Sequence, residues 1–374
     1  MPVRKSDMIS TGMDCLIVAD DLTGACDAAV QFAVRGFRAD VLVCRNAQAS
    51  GARVIAINTQ SRDLPDAEIR RAMAAAASQF PVDSGAIVFK KIDSTMRGNT
   101  GQEIAAALEA FDCDAAIVCP AFPKMHRIVE QGSLRIAGTP EFAPIEVASR
   151  LQLQSGQACA HTRHDGITAL LSGDTRFVSV EANCDQDLDS IAAAAFPMGR
   201  GVLWAGSAGL AAALAPLLGG GRVGPPVPFK NGPALFCIGS DHPVTIAQQA
   251  ALLAGRPSVL AATREAIRDG LTRGEHVVLP IPRGLVSAGQ VRELIAGAPA
   301  AALVLSGGDT ASLVCEAAGI RRIALCDEIV PGVPRGTIHG GEFAGISIVT
   351  KSGGFGDRDA LIQVADFFAC PKQP

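Results

Sequence analysis

The stretch "CLIVADDLTGACDAAVQFAVRG", residues 15–36, contains one folding unit and poses a question about charge. Its apolar run, residues 15–19, is typical of a buried strand, and its alanine-rich end is typical of a helix. Between them Asp20 and Asp21 stand side by side. One carboxylate is explained as a helix cap that also gains from the helix dipole, but a cap needs only one. Since adjacent side chains at a strand end diverge, we expect one carboxylate to serve the helix and the other to face a ligand, with the assignment open.

The same pattern of apolar run, small or polar loop and alanine-rich helix recurs along the chain, at residues 86–111, 201–218, 234–255 and 302–319. Strands that are apolar on both faces and alternate with helices are typical of parallel sheets covered on both sides. The predicted fold class is therefore α/β, with two domains that each hold a largely parallel sheet flanked by helices. Ligands of such sheets bind at the carboxyl ends of the strands, so we expect the active site in the interdomain cleft.

A glycine- and proline-rich segment, "LLGGGRVGPPVPFKNGP", divides the chain at residues 217–233. Such a composition is typical of a linker or domain crossing. The predicted domains are residues 1–225 and 226–374.

Composition excludes several classes of partner. The 374 residues carry a formal net charge of −4 and only 4% aromatic residues, which disfavours nucleic acid. The uncharged segment 201–221 is long enough to span a bilayer, but glycines and Pro216 interrupt it, so we expect a strand and a buried helix and no membrane contact. The eleven cysteines form no C-x-x-C pair, and the first residues lack the apolar core of a signal peptide. Reduced thiols and a cytoplasmic location are the resulting expectations.

Three glycine-rich loops lie in the second half, at "GSDHP" (239–243), "SGGDT" (306–310) and "KSGGFG" (351–356). Glycines let backbone N–H groups converge on an anion, and a following helix adds partial positive charge. Each loop alone could be a turn or a capped helix start. Together they predict a phosphate-rich ligand, most simply a nucleotide, although the chain has no P-loop sequence and no G-x-G-x-x-G that follows a strand.

The loops of the first half carry different chemistry. "FKKIDSTMRGNTGQEI" (89–104) and "INTQSRDLP" (57–65) mix cations with hydroxyl and amide groups. Arginine can hold a carboxylate with two parallel hydrogen bonds, so these loops suit a small polyhydroxylated anion. Ordinary surface charge is the alternative, and the position of these charges at strand ends that should be buried argues against it.

Taken in order, "ADDLTGACDAA", "KKIDSTMRGN", "CPAFP", "WAGSAGLA", "SGGDTA" and "KSGGFG" resemble the four-carbon acid sugar kinases over most of the chain. The resemblance implies a sugar-acid-binding first domain and a nucleotide-binding second domain. The residues expected at the sugar acid are Asp20, Asp21, Arg62, Lys91, Ile92, Asp93, Ser94 and Arg97. Those expected at ATP are Ser240, Gly307, Gly308, Asp309, Thr310, Lys351, Gly353 and Gly354.

The hypothesis is transfer of the γ-phosphoryl group of ATP, with Mg²⁺ on the phosphates, to a hydroxyl of a small acid such as threonate, erythronate or 3-oxo-tetronate. Phosphoryl transfer needs alignment, charge neutralisation and an acceptor for the hydroxyl proton. Asp20 or Asp21 is the expected contact or base, and Asp309 the expected metal ligand or second base. The identity of the acid, the metal ligands and the formation of a homo-oligomer stay open.

Two alternatives remain beside this hypothesis. His242 and Gly354 depart from the family pattern, as does His126–Arg127 where a Gly-Arg pair is usual. The departures at His242 and Gly354 allow a non-catalytic sugar-acid-binding or sensing protein with inactive nucleotide loops. A hydroxy-acid dehydrogenase is disfavoured, because the dinucleotide-binding fingerprint is absent.

Overall fold

One sheet of 15 strands runs through the molecule, a computed structural model that describes residues 12–44, 47, 51–82, 86–139, 141–220 and 227–369. The strands up to the linker are β1 (Cys15–Ala19), β2 (Ala39–Leu42), β3 (Val54–Asn58), β4 (Ile87–Lys91), β5 (Ala115–Cys119), β6 (Arg127–Glu130), β7 (Ser133–Ile136), β8 (Ile145–Glu146), β9 (Cys159–Thr162), β10 (Phe177–Val180) and β11 (Val202–Gly206). After it come β12 (Ala234–Ile238), β13 (Ser258–Leu260), β14 (His276–Pro280), β15 (Ala302–Ser306), β16 (Arg322–Val330), β17 (Val333–His339) and β18 (Ser347–Lys351).

Helices alternate with these strands. In the first part they are α1 (Leu22–Ala33), α2 (Asp66–Gln79), α3 (Thr100–Ala110), α4 (Val147–Ser155), α5 (Ile167–Leu171), α6 (Asp185–Ala195) and α7 (Ala208–Leu214). In the second they are α8 (Pro243–Gly255), α9 (Arg264–Thr272), α10 (Ala288–Ile295), α11 (Gly308–Ala317) and α12 (Ala360–Phe368). Short 3-10 helices lie at Pro123–Met125, His164–Gly166, Phe196–Gly201 and Ala215–Leu218.

The large sheet has two parallel sectors. Strands β2-β3-β1-β4-β11-β5-β10-β9 form one, and β13-β14-β12-β15-β18 form the other. Every residue of β1, β4, β5 and β11 is buried, as expected for strands that are covered on both faces. The α/β class and the two parallel units predicted from the recurring pattern are confirmed.

The two sectors are joined edge to edge through antiparallel strands. β16 pairs with β2 on one side and with β17 on the other, and β17 pairs with β18. The largest cluster of buried hydrophobic residues likewise contains side chains from both sectors, such as Phe32 and Cys315. The predicted boundary between residues 225 and 226 lies outside the described residues and stays a prediction.

A separate antiparallel sheet, β6-β7-β8, follows the "CPAFP" segment. The uncharged segment 201–221 contains β11 and α7, the strand and buried helix expected there. No helix in the part of the chain that the structure describes is both long and apolar enough to cross a bilayer. The ten cysteines within that part are free thiols, and Cys370 lies outside it.

An ion pair closes the seam between the sectors. The Arg322 guanidinium on β16 donates to the Asp40 carboxylate on β2 at 2.8 Å, and both side chains are largely buried. Removal of one partner from a buried pair leaves a charge out of water and costs about 3–5 kcal/mol. We therefore expect Asp40→Ala to lower the free energy of unfolding by about 3 kcal/mol in urea denaturation followed by circular dichroism.

The matched control is Asp366→Ala, which breaks the surface pair of Asp366 with Arg256. Exposed pairs contribute little, so this variant should unfold close to the wild-type midpoint. Equal losses in the two variants would show that the Asp40–Arg322 pair does not stabilise the seam.

Candidate active site

Three neighbouring strands bring their following loops to one edge of the sheet. β1 lies between β3 and β4, and all three run parallel. The residues that follow them therefore meet, and these are Asp20 after β1, Arg62 in the loop after β3 and Asp93 after β4. The expectation that loops at carboxyl ends gather the polar residues holds for this group.

Arg62 is the centre of this group. Its Nε donates to Asp20 Oδ2 at 2.6 Å, and its Nη1 and Nη2 lie 2.9 Å from Asp21 Oδ2 and 3.8 Å from Asp93 Oδ1. We call these four residues the Arg62 cluster. Burial opposes ionisation of Asp20, but Arg62 and the two lysines at the end of β4 outweigh it and hold the pKa of Asp20 below its usual range. The cluster is therefore charged at neutral pH.

The adjacent aspartates have different hydrogen-bond partners. Asp21 is the N-cap of α1: its Oδ1 accepts from the Gly24 N–H at 2.6 Å, and its Oδ2 accepts from the Thr23 hydroxyl at 3.2 Å. Asp20 Oδ1 is buried and accepts no hydrogen bond from the residues that the structure describes. The expected divergence of the two side chains is only partial, because both also contact Arg62.

The lysines at the end of β4 are buried beneath the cluster. Lys91 Nζ donates to the Ile92 carbonyl at 2.7 Å, and it lies 3.1 Å from the position that a Cβ on Gly24 would take. Lys90 Nζ lies 3.3 Å from Glu103 Oε2. Ile92 itself is fully buried, so only its backbone is available for polar contacts. The charges of both lysines act on Asp20 of the cluster.

Arg97 is held by Asp93 through two hydrogen bonds, from Nε to Oδ2 at 2.9 Å and from Nη2 to Oδ1 at 2.7 Å. The Thr95 hydroxyl donates to the same carboxylate, and Ser94 is buried next to it in the chain. The Arg97 side chain is 63% exposed, against 18% for that of Arg62. Of the cations predicted to hold a carboxylate, Arg97 is thus the one most open to an incoming ligand.

The three glycine-rich loops of the second sector converge. A Cβ on Gly353 would overlap the Ser240 hydroxyl, and one on Gly239 would overlap that of Thr310. Gly307 lies against Ser240 and has φ +105°, a conformation that side chains rarely adopt. The absence of a side chain at these positions is therefore what lets the loops approach, as the glycine pattern predicted.

Lys351 holds the "KSGGFG" loop from inside. Its Nζ donates to the carbonyls of Ser352, Gly353 and Phe355 at 2.9–3.3 Å and to the Thr245 hydroxyl at 3.2 Å. Burial lowers the pKa of Lys351 to about 7. This geometry places the ammonium under the loop, where it shapes the loop rather than faces the cleft. Within the described residues, the N–H groups of Gly353 and Gly354 donate to no protein acceptor.

The start of α11 carries the second predicted carboxylate. Asp309 is 68% exposed and pairs with Arg283 Nε at 2.8 Å, whereas Thr310 is buried against Gly239. The helix runs from Gly308 to Ala317, so its free N–H groups and dipole point toward the preceding loop. This is an arrangement that favours a bound anion.

The two groups of loops meet at Asp21 and Gly308. A Cβ on Gly308 would overlap the Asp21 carboxylate, so the start of α11 lies directly against the Arg62 cluster. Two hydrogen bonds flank this contact, from Ser352 to Thr23 and from Asn58 to Ser312, both at 3.3 Å. An anion at the glycine loops and a polar ligand at the cluster would therefore be neighbours.

Sequence reasoning missed two buried charged groups in this region. Asp27 is 2% exposed on α1, and its Oδ1 has no hydrogen-bond partner in the described part of the chain. Arg127 is 9% exposed and contacts the "KSGGFG" loop. For Asp27 a signal was available, because it is a lone charge in the apolar helix pattern "GACDAAV". For Arg127 the sequence offers only the departure from the family pattern at residues 126–127, which assigns it no role.

Carboxylates near the glycine loops have the chemistry of a Mg²⁺ site, since hard oxygen donors are what this ion prefers. The described residues contain no group of three or more His, Cys, Asp or Glu arranged to hold a metal. Kinase sites commonly use one or two carboxylates with the phosphates of the nucleotide, which is compatible with Asp309 and Asp21 at the start of α11.

Two family models match this chain, one in its first part and one in its second. A family described as "Sugar-binding N-terminal domain" matches residues 15–214, and one described as "Nucleotide-binding C-terminal domain" matches residues 282–361. Two crystal structures, of proteins from Salmonella typhimurium and Haemophilus influenzae, have TM-scores of 0.74 and 0.71. They are 21% and 19% identical, and the alignments cover 95% and 94% of this chain and 99% and 100% of theirs. These two likenesses concern the fold.

Three curated relatives carry named activities. A D-threonate kinase of Bordetella bronchiseptica is 33% identical, with 93% of this chain and 96% of the relative covered. A D-erythronate kinase of Heliobacterium modesticaldum is 27% identical (94% and 96% covered), and a 3-oxo-tetronate kinase of Cupriavidus necator is 29% identical (91% and 94% covered).

The buried Asp27 carboxyl gives a pH-dependent prediction. Burial raises its pKa to about 7. A raised folded-state pKa means that the carboxyl stabilises the fold below about pH 4 and that this stability is lost as the pH rises to about 7, at about 1.4 kcal/mol per pH unit. Asp27→Asn removes the titration. We expect its thermal midpoint, relative to the wild type, to rise between pH 4 and pH 7 and to level off above.

Asp366→Asn is the control, because its hydrogen bonds from Arg256 lower the pKa of Asp366 instead. A lowered folded-state pKa changes stability only where the pH falls below the ordinary pKa of the carboxyl, so the difference in midpoint between Asp366→Asn and the wild type should stay small and nearly constant from about pH 5 to pH 7. A pH-independent difference for Asp27→Asn would show that Asp27 is ionised in the folded protein.

Proposed function

The chain belongs to the family of four-carbon acid sugar kinases, and from this membership and the geometry of the cleft we propose that it transfers the γ-phosphoryl group of ATP to a hydroxyl of a four-carbon sugar acid. The observation that carries the proposal is the contact of Asp21 with Gly308. It brings the Arg62 cluster and the start of α11 together, so a sugar acid at the first and a phosphate chain at the second would be in line for transfer.

The nucleotide phosphates belong at the glycine loops. The unused N–H groups of Gly353 and Gly354, the start of α11 and the close approach of Ser240 offer donors on several sides of an anion. Mg²⁺ carried by the nucleotide would neutralise phosphate charge, with Asp309 as its protein ligand. Lys351 acts on this site indirectly, by fixing the loop carbonyls on the side away from the phosphates.

The sugar acid belongs at the Arg62 cluster. The carboxylate of the sugar acid would pair with Arg97, the most exposed of the cations that are expected at the sugar acid. Its reacting hydroxyl fits Asp20, whose Oδ1 accepts no hydrogen bond in the described structure, whereas both oxygens of Asp21 already accept one. Asp20 Oδ1 is shielded from solvent, so ligand entry requires the side chains around it to shift.

In the proposed step, the substrate hydroxyl oxygen forms a bond to the γ-phosphorus, and the bond from that phosphorus to the bridging oxygen of ADP breaks. The hydroxyl proton passes to Asp20, and ADP leaves with the electron pair of the broken bond. The cationic neighbours of Asp20 keep it ionised, as a proton acceptor must be before the step, although they also lower its basicity. The relatives act on D-threonate, D-erythronate and 3-oxo-tetronate, which defines the substrate class to test.

An ADP-release screen over C4 sugar acids with ATP and Mg²⁺ tests this proposal. We expect turnover with one acid or one stereoisomer and little with the others. Asp20→Asn should lower kcat by about 10²-fold or more, because a positioned proton acceptor contributes about 10²–10⁴-fold. Asp21→Asn should lower both kcat and thermal stability, since it also weakens the cap of α1.

Asp366→Asn, at the far surface ion pair, serves as the control and should retain the wild-type rate. Wild-type rates in both cleft variants would remove the aspartates from the mechanism. Sugar-acid binding without ATP binding in calorimetry would instead support the alternative of a sensing protein.

A further inference from the structure

Arg127 is a buried arginine at the boundary between the sugar-acid side and the nucleotide side of the cleft. It begins β6, directly after His126, whose φ of +65° turns the chain sharply. Its Nη1 donates to the Met125 carbonyl, its Nη2 donates to the Gly354 carbonyl at 3.3 Å, and its guanidinium lies 5.2 Å from the centre of the Phe355 ring. The side chain is thus fixed against the "KSGGFG" loop by uncharged groups.

The charge of Arg127 has no ionic partner. No carboxylate of the described residues lies within 4.0 Å of its guanidinium, and its buried Nε has no hydrogen-bond partner there. Burial lowers the pKa of Arg127, although Asp93 and Asp27 act in the opposite direction from farther away. A buried cation without a counter-ion is costly, because its lost hydration is not replaced. A buried arginine without a counter-ion is suited to bind an anionic group of a ligand.

Other cations of the cleft differ from Arg127 in this respect. Arg62 contacts three carboxylates, and Arg97 donates two hydrogen bonds to Asp93. Lys351 is saturated by loop carbonyls. Arg127 is therefore the buried arginine of the cleft that keeps an unused donor and an unpaired charge.

The position of Arg127 indicates which anion it would pair with. Arg127 Nη2 lies 3.3 Å from the position that a Cβ on Gly354 would take, next to the unused N–H groups of the proposed phosphate loop. The charges of Asp93 and Arg97, which belong to the proposed sugar-acid site, also act on Arg127. The phosphoryl group in transfer is the anion that passes between these two sites.

We propose that Arg127 is a catalytic residue that pairs with the transferring phosphoryl group. This inference rests on the proposed kinase function. While the bond from the γ-phosphorus to ADP breaks and the bond to the sugar hydroxyl forms, negative charge is spread over the phosphoryl oxygens and the departing ADP oxygen. A guanidinium without a competing carboxylate stabilises that charge more than it stabilises either bound ground state.

The test measures binding of a phosphoryl mimic. Aluminium fluoride added to ADP, Mg²⁺ and the sugar acid forms a complex that imitates the group in transfer, and titration calorimetry gives its affinity with and without fluoride. For the wild type we expect the fluoride complex to bind ADP at least 100-fold more tightly. For Arg127→Lys and Arg127→Ala this gain should largely vanish, while the affinities for ADP alone and for the sugar acid stay within about threefold.

Turnover supplies the second readout. An arginine that acts on the transferring group contributes about 10³–10⁵-fold to kcat in comparable phosphoryl transfers. Arg127→Ala should therefore lose about 10³-fold in kcat, with KM values near those of the wild type, and added guanidinium should restore part of the rate. Arg273→Ala, at an exposed ion pair with Glu275, is the matched control and should behave as the wild type.

Each other outcome overturns the inference. Loss of sugar-acid affinity with an intact fluoride gain would make Arg127 a carboxylate-binding residue, and wild-type behaviour in both variants would make it structural. If Arg127→Ala does not fold, Arg127→Lys carries the measurement. A wild-type protein without sugar-acid-dependent ADP release would refute the proposed function itself, whereas an active wild type with unaffected Arg127 variants would refute this inference alone.

Discussion

The interaction on which the cleft depends is the contact of one guanidinium, that of Arg62, with carboxylates from two different loops. Asp20 and Asp21 follow β1, and Asp93 follows β4. Without the cation, three like charges at buried strand ends would repel one another and lack solvation. With it, the three loops are fixed in register at the carboxyl edge of the sheet. The pair of adjacent aspartates thus has a structural role, since Asp21 caps α1 and both carboxylates pair with Arg62.

The second constraint is the continuity of the sheet. Because β16 pairs with β2, the two parallel sectors are not free bodies joined only by a linker, and the loops of one sector contact those of the other at Asp21 and Gly308. Phosphoryl transfer asks a protein mainly for alignment and charge neutralisation. Because the two sectors are joined through hydrogen-bonded strands, the loops that they carry are held in a fixed relative position. The cationic side chains beside these loops can neutralise the negative charge of a phosphate group.

Much of this arrangement could be predicted from the sequence. Apolar runs followed by short loops and alanine-rich helices indicate the α/β class, and glycines at strand-to-helix turns indicate the loops that approach one another closely in the second sector. Pairing across sectors could not be predicted, since β16 and β2 are separated by about 280 residues and neither has a distinctive pattern. The directions of side chains could not be predicted from the sequence either. A lysine beside a glycine-rich loop suggests a phosphate ligand, yet the Lys351 ammonium donates to the carbonyls of its own loop. The role proposed for Arg127 depends on the absence of a neighbouring carboxylate among the described residues, and the sequence does not reveal that absence.

The central claim is that the sugar acid and the nucleotide meet at the junction of the Arg62 cluster with the start of α11. A crystal structure of the protein with ADP, Mg²⁺ and its sugar acid tests it most directly. The predicted result is a sugar hydroxyl within about 2.6–3.2 Å of Asp20 Oδ1 and the β-phosphate of ADP against the N–H groups of Gly308, Gly353 and Gly354. A sugar acid or a diphosphate bound away from this junction would contradict the claim.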